Sequence, residues 1–238
     1  MNSFVNFHSN VVTVNWNNIW ANRGHILGEG MVSPDKKYFY IKIPKNSSSF
    51  AVKHLTTLGW EHSVKDHHPN ATALVTVRDP LDRWVSGVIE YLFMYHMDQI
   101  NHIVSKPEDF DFWPLISERL GLSLLFDKIT FDDHTELQSV FLNKVNLSDC
   151  QALMVNENFS NNFSSMLTKL GYPNDFYNEE KVNSKDELNP TANRRKLLRN
   201  VISFILEKDH ERKEKLVEYL QPDYYVLKSI NFFGDKNV

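Results

Sequence analysis

The chain has a single cysteine, Cys150, among 238 residues. One thiol excludes an intramolecular disulfide, and nothing around it has the Cys/His spacing of a structural zinc site. Cys150 is therefore expected to be a partly buried side chain with no chemical role. Positive charge is not in excess either: 26 Lys and Arg against 30 Asp and Glu leave a formal net charge of −4. That balance excludes the global basic field with which proteins hold a nucleic-acid backbone or an anionic membrane. An anionic ligand must be captured by a local basic site instead. No apolar run approaches the roughly 18 residues of a membrane span. Met1 to Val14 is rich in Asn and lacks the positive start and apolar stretch of a signal peptide. These absences lead to the expectation of a reducing, cytoplasmic setting, with no membrane and no nucleic-acid partner.

What is present is ordinary globular material, 42% hydrophobic and 24% charged, in a length that suits one α/β domain over residues 1–238. Residues 1–37, Asn- and aromatic-rich around Trp16 and Trp20, read as an N-terminal excursion packed on that domain. Tyr38 to Ile43 is a β-branched and aromatic run ending at Pro44, which predicts a buried strand. From Ser48 to Leu58, apolar residues at Phe50, Val52, Leu55 and Leu58 predict a helix, stopped by Gly59. A second strand is predicted at Ala73 to Val77, then a helix from Leu81 to Met97 with Pro80 in its first turn. Residues 98–130 read as mostly helical. A short strand at Leu153 to Val155 precedes a helix from Phe159 to Leu170. The C-terminal part, Ala192 to Ile230, reads as two helices broken near Lys208 to His210 and at Pro222. Trp84 and Tyr91, seven apart, are expected in the core.

Two segments carry chemistry. The first is Pro44-Lys45-Asn46-Ser47-Ser48-Ser49-Phe50, between the first strand and its helix. A turn there presents unpaired backbone N–H groups and the positive end of a helix dipole. The serine hydroxyls and the Lys45 cation add to it, giving a local anion site in an acidic chain. The pattern is not a Walker A loop, because the glycines are missing. The same serines could instead simply cap the helix. The second segment, Arg78-Asp79-Pro80-Leu81-Asp82-Arg83-Trp84-Val85-Ser86, follows the second strand directly. Arg78 at a strand end can fork onto a phosphate, and Ser86 can add a hydroxyl donor. The plainer account of this stretch is a helix start with Arg83 solvated on its surface.

Together the two segments resemble the PAPS-dependent sulfotransferases, whose motifs run P-K-x-x-x-[ST] and R-D-P-x-x-R-x-x-S. The order agrees, and so does the 33-residue separation of Lys45 from Arg78. The likeness spans residues 38–97, the expected PAPS-binding core, and looks closest to the carbohydrate-type branch and to small soluble microbial and phage relatives. It implies a P-loop-like three-layer α/β sandwich with a central, mainly parallel sheet and extra C-terminal helices. It further implies transfer of a sulfuryl group from 3′-phosphoadenosine-5′-phosphosulfate (PAPS) to an acceptor hydroxyl, with a glycan as the expected acceptor and 3′-phosphoadenosine-5′-phosphate (PAP) as product. Lys45 and the serine turn would hold the 5′-phosphosulfate, and Arg78 with Ser86 the 3′-phosphate. A late loop, Lys181-Val182-Asn183-Ser184-Lys185, resembles the segment that closes over the nucleotide in relatives and makes Ser184 a further binding candidate. No metal is needed, and no metal-ligand constellation is visible.

The acceptor hydroxyl must give its proton to a positioned base, in this family a His or Glu. Of ten histidines, His134 ranks first. It lies in Asp132-Asp133-His134-Thr135-Glu136-Leu137-Gln138, which resembles the H-x-x-P-Q segment of carbohydrate enzymes with Leu137 in place of the proline. His67 and His68 follow, with His62, in the connection from which such enzymes often draw their base, where the plainer account of each is a solvated loop residue. The cluster at 132–136 can equally be a helix N-terminus with Asp133 as cap and Glu136 in a capping box. Arg194, Arg195 and Lys196 read as a solvated helix face. Two other classes stay open: a nucleotide- or glycan-binding module without turnover, and a P-loop kinase, which the missing Walker glycines disfavour.

Overall fold

A computed structural model describes residues 5–14, 27–119, 130–172 and 190–233. Strands β1 (Val5–His8) and β2 (Val11–Val14) form an antiparallel hairpin. Six further strands make one mixed sheet: β3 (Glu29–Val32), β4 (Tyr38–Ile41), β5 (Glu61–Val64), β6 (Thr72–Val77), β7 (Gln151–Met154) and β8 (Asn231–Phe232). Their order is β5-β3-β4-β6-β7-β8. The run β4-β6-β7-β8 is parallel, and β3 is antiparallel to both β4 and β5. The chain is thus α/β with a mainly parallel mixed sheet, and its strands at β4, β6 and β7 lie where the apolar runs predict them.

The chain forms two compact units. The first comprises Met1–Asp79, Leu137–Glu180 and Pro222–Val238, and holds the whole sheet. Period-two alternation sets Tyr40 and Leu74 on one face, beside Met31 and Leu153. Helices α1 (Ser48–Thr57) and α5 (Phe159–Lys169) bring Ala51, Leu55, Phe159, Phe163, Met166 and Leu167 onto that face. Phe39, Ile41, Val75 and Val77 alternate to the other face and are equally buried. Burial on both faces is what unbroken apolar runs in parallel strands serve.

Gly59 ends α1 as expected, in the left-handed region at φ 78. Its N–H reaches the Thr56 carbonyl and the Trp60 N–H reaches that of Leu55, each at 3.0 Å. These are the paired bonds of a Schellman stop.

The N-terminal stretch departs from expectation. Residues 1–37 are not only an excursion, because Glu29–Val32 is a strand of the central sheet with Met31 fully buried. Four residues with a glycine inside carry too little periodicity to read. Gly30 is required there, since an added Cβ would run into the Tyr40 carbonyl. Trp16 and Trp20 lie outside the described residues.

The second unit comprises Pro80–Glu136 and Lys181–Gln221. Its helices are α2 (Pro80–Tyr95), α3 (Met97–Ser105), α4 (Phe112–Arg119), α6 (Pro190–Lys208) and α7 (His210–Tyr219). The last helix, α8 (Gln221–Ser229), belongs from Pro222 onward to the first unit. The breaks after Lys208 and before Pro222 fall where predicted, but they leave three helices, α6, α7 and α8, where two were expected. Trp84 and Tyr91 are core residues, Trp84 stacked on Trp113 at 6.2 Å between ring centroids.

Two readings of charged residues are corrected. Arg83 is not solvated: it is 1% exposed and donates Nη1 to the Glu136 carbonyl. It shares an α2 face with Gly87, four residues on, and that face receives the turn at residues 130–136. Arg195 is not merely solvated either. It pairs with Glu90 at 2.7 Å and lies 4.6 Å from the Phe93 ring centroid. One helical turn later, Arg199 pairs with Asp82 and donates Nη2 to the Ser86 hydroxyl at 2.5 Å.

At Gly87 an added Cβ would overlap the carbonyl of His134. Gly87→Ala is therefore expected to lower the unfolding free energy by about 2 kcal/mol through overpacking. A urea titration of the variant against the parent measures this.

Candidate functional site

Because β4 and β6 are neighbours and parallel, with Ile41 opposite Val75, their C-terminal ends open on the same edge of the sheet. In open α/β sheets that edge is where ligands are bound. The chain leaves β4 through Lys42 to Ser47 and enters α1. It leaves β6 at Arg78. The two predicted anion-binding segments therefore meet, and Arg78 Nη1 lies 3.5 Å from the Lys45 carbonyl oxygen.

The turn has an unusual backbone. Lys45 and Ser47 both sit in the left-handed region, at φ 66 and 57, although neither is glycine. Left-handed backbone costs a non-glycine residue about 1–2 kcal/mol and persists only where its surroundings enforce it. Ser47 occupies the N-cap position of α1, yet its side chain makes no capping bond. The capping account of the serines thus fails for the residue that would carry it. A left-handed Ser47 followed by a helical Ser48 turns successive N–H groups into one concavity, the geometry of a backbone anion nest. The first bond of the helix is Ala51 N–H to the Ser47 carbonyl at 3.0 Å. The amides of Ser48, Ser49 and Phe50 stand ahead of that ladder, at the positive end of the α1 dipole. Ser49 is exposed, Ser47 and Lys45 half-buried, and Pro44 and Ser48 buried. The Phe50 ring packs on Phe159 and Phe163, so this residue has only its amide to offer.

Asn46 behaves differently from its expected role as a ligand donor. It has no exposed surface, and its side chain points inward. Nδ2 donates to the Thr76 carbonyl at 2.8 Å and to Gln138 Oε1 at 2.9 Å, which uses both hydrogens. Oδ1 is buried without a hydrogen-bond partner. The Asn46 carbonyl accepts from Thr76 Oγ1 at 2.7 Å, and that hydroxyl also meets the Tyr40 phenol at 3.0 Å. Burial holds the Tyr40 phenol above its ordinary pKa, so it serves as a hydrogen-bonding group and not as an acid.

Gln138, quoted in the sequence without a role, belongs to the same network. Its Oε1 accepts from the Arg78 N–H at 3.3 Å, and its Nε2 donates to the Arg78 carbonyl at 3.0 Å. It opens a 3₁₀ turn, Gln138–Leu142, whose leading amides at Gln138 and Ser139 donate to the two oxygens of Asp223 at 2.9 and 2.8 Å. Asp223 is fully buried at the start of α8. Beside it, the Tyr224 phenol is raised by burial and then by the charges of Asp79 and Asp223. Thr76, Asp223 and Tyr40 gave no signal in the sequence, being single polar residues inside apolar or helical stretches.

Among the candidate bases, His68 bonds Ser63 Oγ through Nε2 at 2.9 Å and stacks on Phe39. Phe39 faces away from Tyr40 and α1, so His68 lies over the other face of the sheet. His67 is exposed in a 3₁₀ turn, Lys65–His67, and His62 is exposed on β5. His134 belongs to the second unit. Its Nδ1 is 2.9 Å from Asp132 Oδ2, and its N–H donates to Asp132 Oδ1 at 2.9 Å. With Nδ1 as the donor, the basic nitrogen of that tautomer is Nε2. The helix-cap account of this cluster is corrected. The next helical element is the 3₁₀ turn Gln138–Leu142 with Leu137 at its N-cap, and within the cluster Asp132 and the Thr135 hydroxyl accept backbone amides. Ser86, also in the second unit, is buried against Arg199. Ser184 lies outside the described residues.

Among the described residues no group of acidic, His or Cys side chains could hold a metal ion, and no helix is long and apolar enough to cross a membrane. Cys150 is buried, and burial pushes its thiol up to about 12. Comparison with protein-family models, with curated proteins and with solved structures returned no match to this chain.

Asn46→Ala removes the donor from the Thr76 carbonyl and from Gln138, and is expected to cost about 2 kcal/mol. A lower urea midpoint would show it. Since its raised pKa leaves the Cys150 thiol protonated through neutral pH, a thiol reagent such as Ellman's is expected to react at pH 8 only as the protein unfolds. Fast labelling of the native protein would contradict that burial.

Proposed function

We propose that this protein is a PAPS-dependent sulfotransferase with a P-loop-like three-layer fold, acting on an acceptor hydroxyl of a carbohydrate. The single observation that carries the reading is the approach of Arg78 to the Lys45 turn at 3.5 Å, on the C-terminal edge of two adjacent parallel strands. Two motifs that are 33 residues apart in the chain are side by side in space. The residues suit a nucleotide with two separate anionic ends. One corner offers a lysine, hydroxyls and a nest of amides; the other offers a guanidinium.

PAPS would supply an activated sulfuryl group, whose S–O bond to the phosphate breaks as one to the acceptor oxygen forms. The remaining work falls to this chain. Charge develops on the departing phosphate oxygen and spreads over the equatorial sulfuryl oxygens, so fixed donors and cations count for more than covalent chemistry. Lys45 supplies the cation and the α1 amides supply fixed dipoles. Because these donors are locked by the turn, they need no reorganisation when charge appears. Arg78 binds away from the reacting bond and contributes orientation. The acceptor proton passes to a base, and His134, oriented by Asp132, is the proposed one. Ser86 is proposed as a 3′-phosphate hydroxyl on its place in the second motif alone.

Lys45→Ala and Arg78→Ala are each expected to lose sulfate transfer from PAPS to a panel of glycans and small alcohols, with circular dichroism unchanged. Transfer retained in both variants would remove this mechanism. His134→Ala is expected to lower the turnover by about 10²–10⁴-fold while leaving the PAP-induced thermal shift in place.

A further inference from the structure

We propose that Gln138 is the positioning residue that sets the spacing between the Lys45 turn and Arg78, a role that rests on the sulfotransferase reading for its ligand but not for its geometry. One carboxamide touches both corners. Its oxygen takes a hydrogen from Asn46 Nδ2 and one from the Arg78 N–H, and its nitrogen donates to the Arg78 carbonyl. Both main-chain polar groups of Arg78, its N–H and its carbonyl, are thereby taken by a single planar side chain, as a further strand would take them. That fixes the backbone from which the guanidinium extends. Asn46, in turn, stands between the two left-handed residues of the turn. Its side chain is held through the nitrogen alone, because Oδ1 has no partner. Gln138 provides one of only two anchors on that nitrogen, and Thr76 provides the other.

Gln138 is itself fixed from outside the corner. It has no exposed surface, its backbone amide is pinned by Asp223, and the neighbouring amide of Ser139 is pinned by the other oxygen of that carboxylate. The chain 60 residues beyond Arg78 therefore returns as a rigid brace between the two strand ends. A residue needed only to fill the core would not require a carboxamide with acceptor and donor both aimed at the main chain of one residue. The hydroxyl and amide groups that would touch a phosphate belong to other residues, so Gln138 acts through Asn46 and Arg78.

The test measures PAP affinity by calorimetry in the parent, Gln138→Met, Gln138→Glu, Asn46→Ala and the Asn46→Ala/Gln138→Met double variant. Gln138→Met is expected to weaken PAP by about tenfold or more, with the double variant little weaker than the worse single one, as for residues acting through one contact. Gln138→Glu keeps the acceptor but loses the donor and adds a negative charge, and is expected to weaken PAP at least as much. Wild-type PAP affinity in a folded Gln138→Met variant, with only its melting temperature lowered, would overturn the proposal. Hydrogen exchange at the Arg78 amide separates this inference from the functional one. Protection in the parent that is lost in a Gln138 variant supports the brace whether or not PAP binds, whereas exchange at an open-loop rate in the parent overturns it. If Gln138→Met does not fold, the parent exchange rate and the Gln138→Glu variant decide.

Discussion

A carboxamide sealed inside the first unit holds the edge of the sheet together. Asn46 faces inward from a turn that would otherwise be an exposed run of polar residues, and its nitrogen binds the end of β6 and the start of the 3₁₀ turn at once. Burying a polar side chain is costly unless its polar atoms are matched; both Nδ2 hydrogens of Asn46 are, while its Oδ1 is not. The result is that three stretches distant in sequence, around residues 46, 76 and 138, cannot move independently. The left-handed backbone at Lys45 and Ser47 flanks this anchor on both sides. With Asn46 pinned between them, the flanking residues take the conformations that remain, at a local cost that the buried contacts offset.

An acidic chain can still present a concentrated positive corner, because the relevant field is local. Within the turn, Lys42 is paired with Glu29 at 3.1 Å and is largely neutralised. Lys45 and the leading amides of α1 belong to the turn at the edge where β4 and β6 end. Partial charges at a helix terminus fall off within a turn, so they act on a ligand seated there and contribute almost nothing to the protein's overall field. This reconciles a net charge of −4 with a proposed doubly anionic ligand.

Much of the sheet could be read in the sequence, and the reason is physical. Strands β4, β6 and β7 are buried on both faces, so their residues form unbroken apolar runs with a sharp end at Pro44, Arg78 or Asn156. Strands β3 and β5 escaped because one contains a glycine and the other, Glu61-His62-Ser63-Val64, sits at the sheet edge with half-exposed polar residues. The turn and Arg78 were legible because cations and serines at strand ends have few structural uses. The network behind them was not. Thr76 looks like an ordinary β-branched strand residue, Gln138 stands only as the end of a motif quoted for its histidine, and Asp223 carries no reading at all. What joins them is their spacing in the fold, for which sequence distance gives no clue. Arg83 and Arg195 misled for the opposite reason: a charge on a predicted helix face reads as solvated until the surface opposite is known.

The discontinuity of the first unit has a consequence for how the chain is made. Its sheet draws on three separate stretches, and its last strand, Asn231–Phe232, pairs in parallel with β7 nearly eighty residues earlier. A ribosome delivers the chain from its N-terminus, so the helices of the second unit emerge while β8 and the Asp223 anchor are still unsynthesised. Such long-range closure makes for slow folding and leaves β7 as a bare edge until the end. Translation pausing or truncation a few residues short of β8 would leave a nascent chain able to recruit a neighbour's strand in its place.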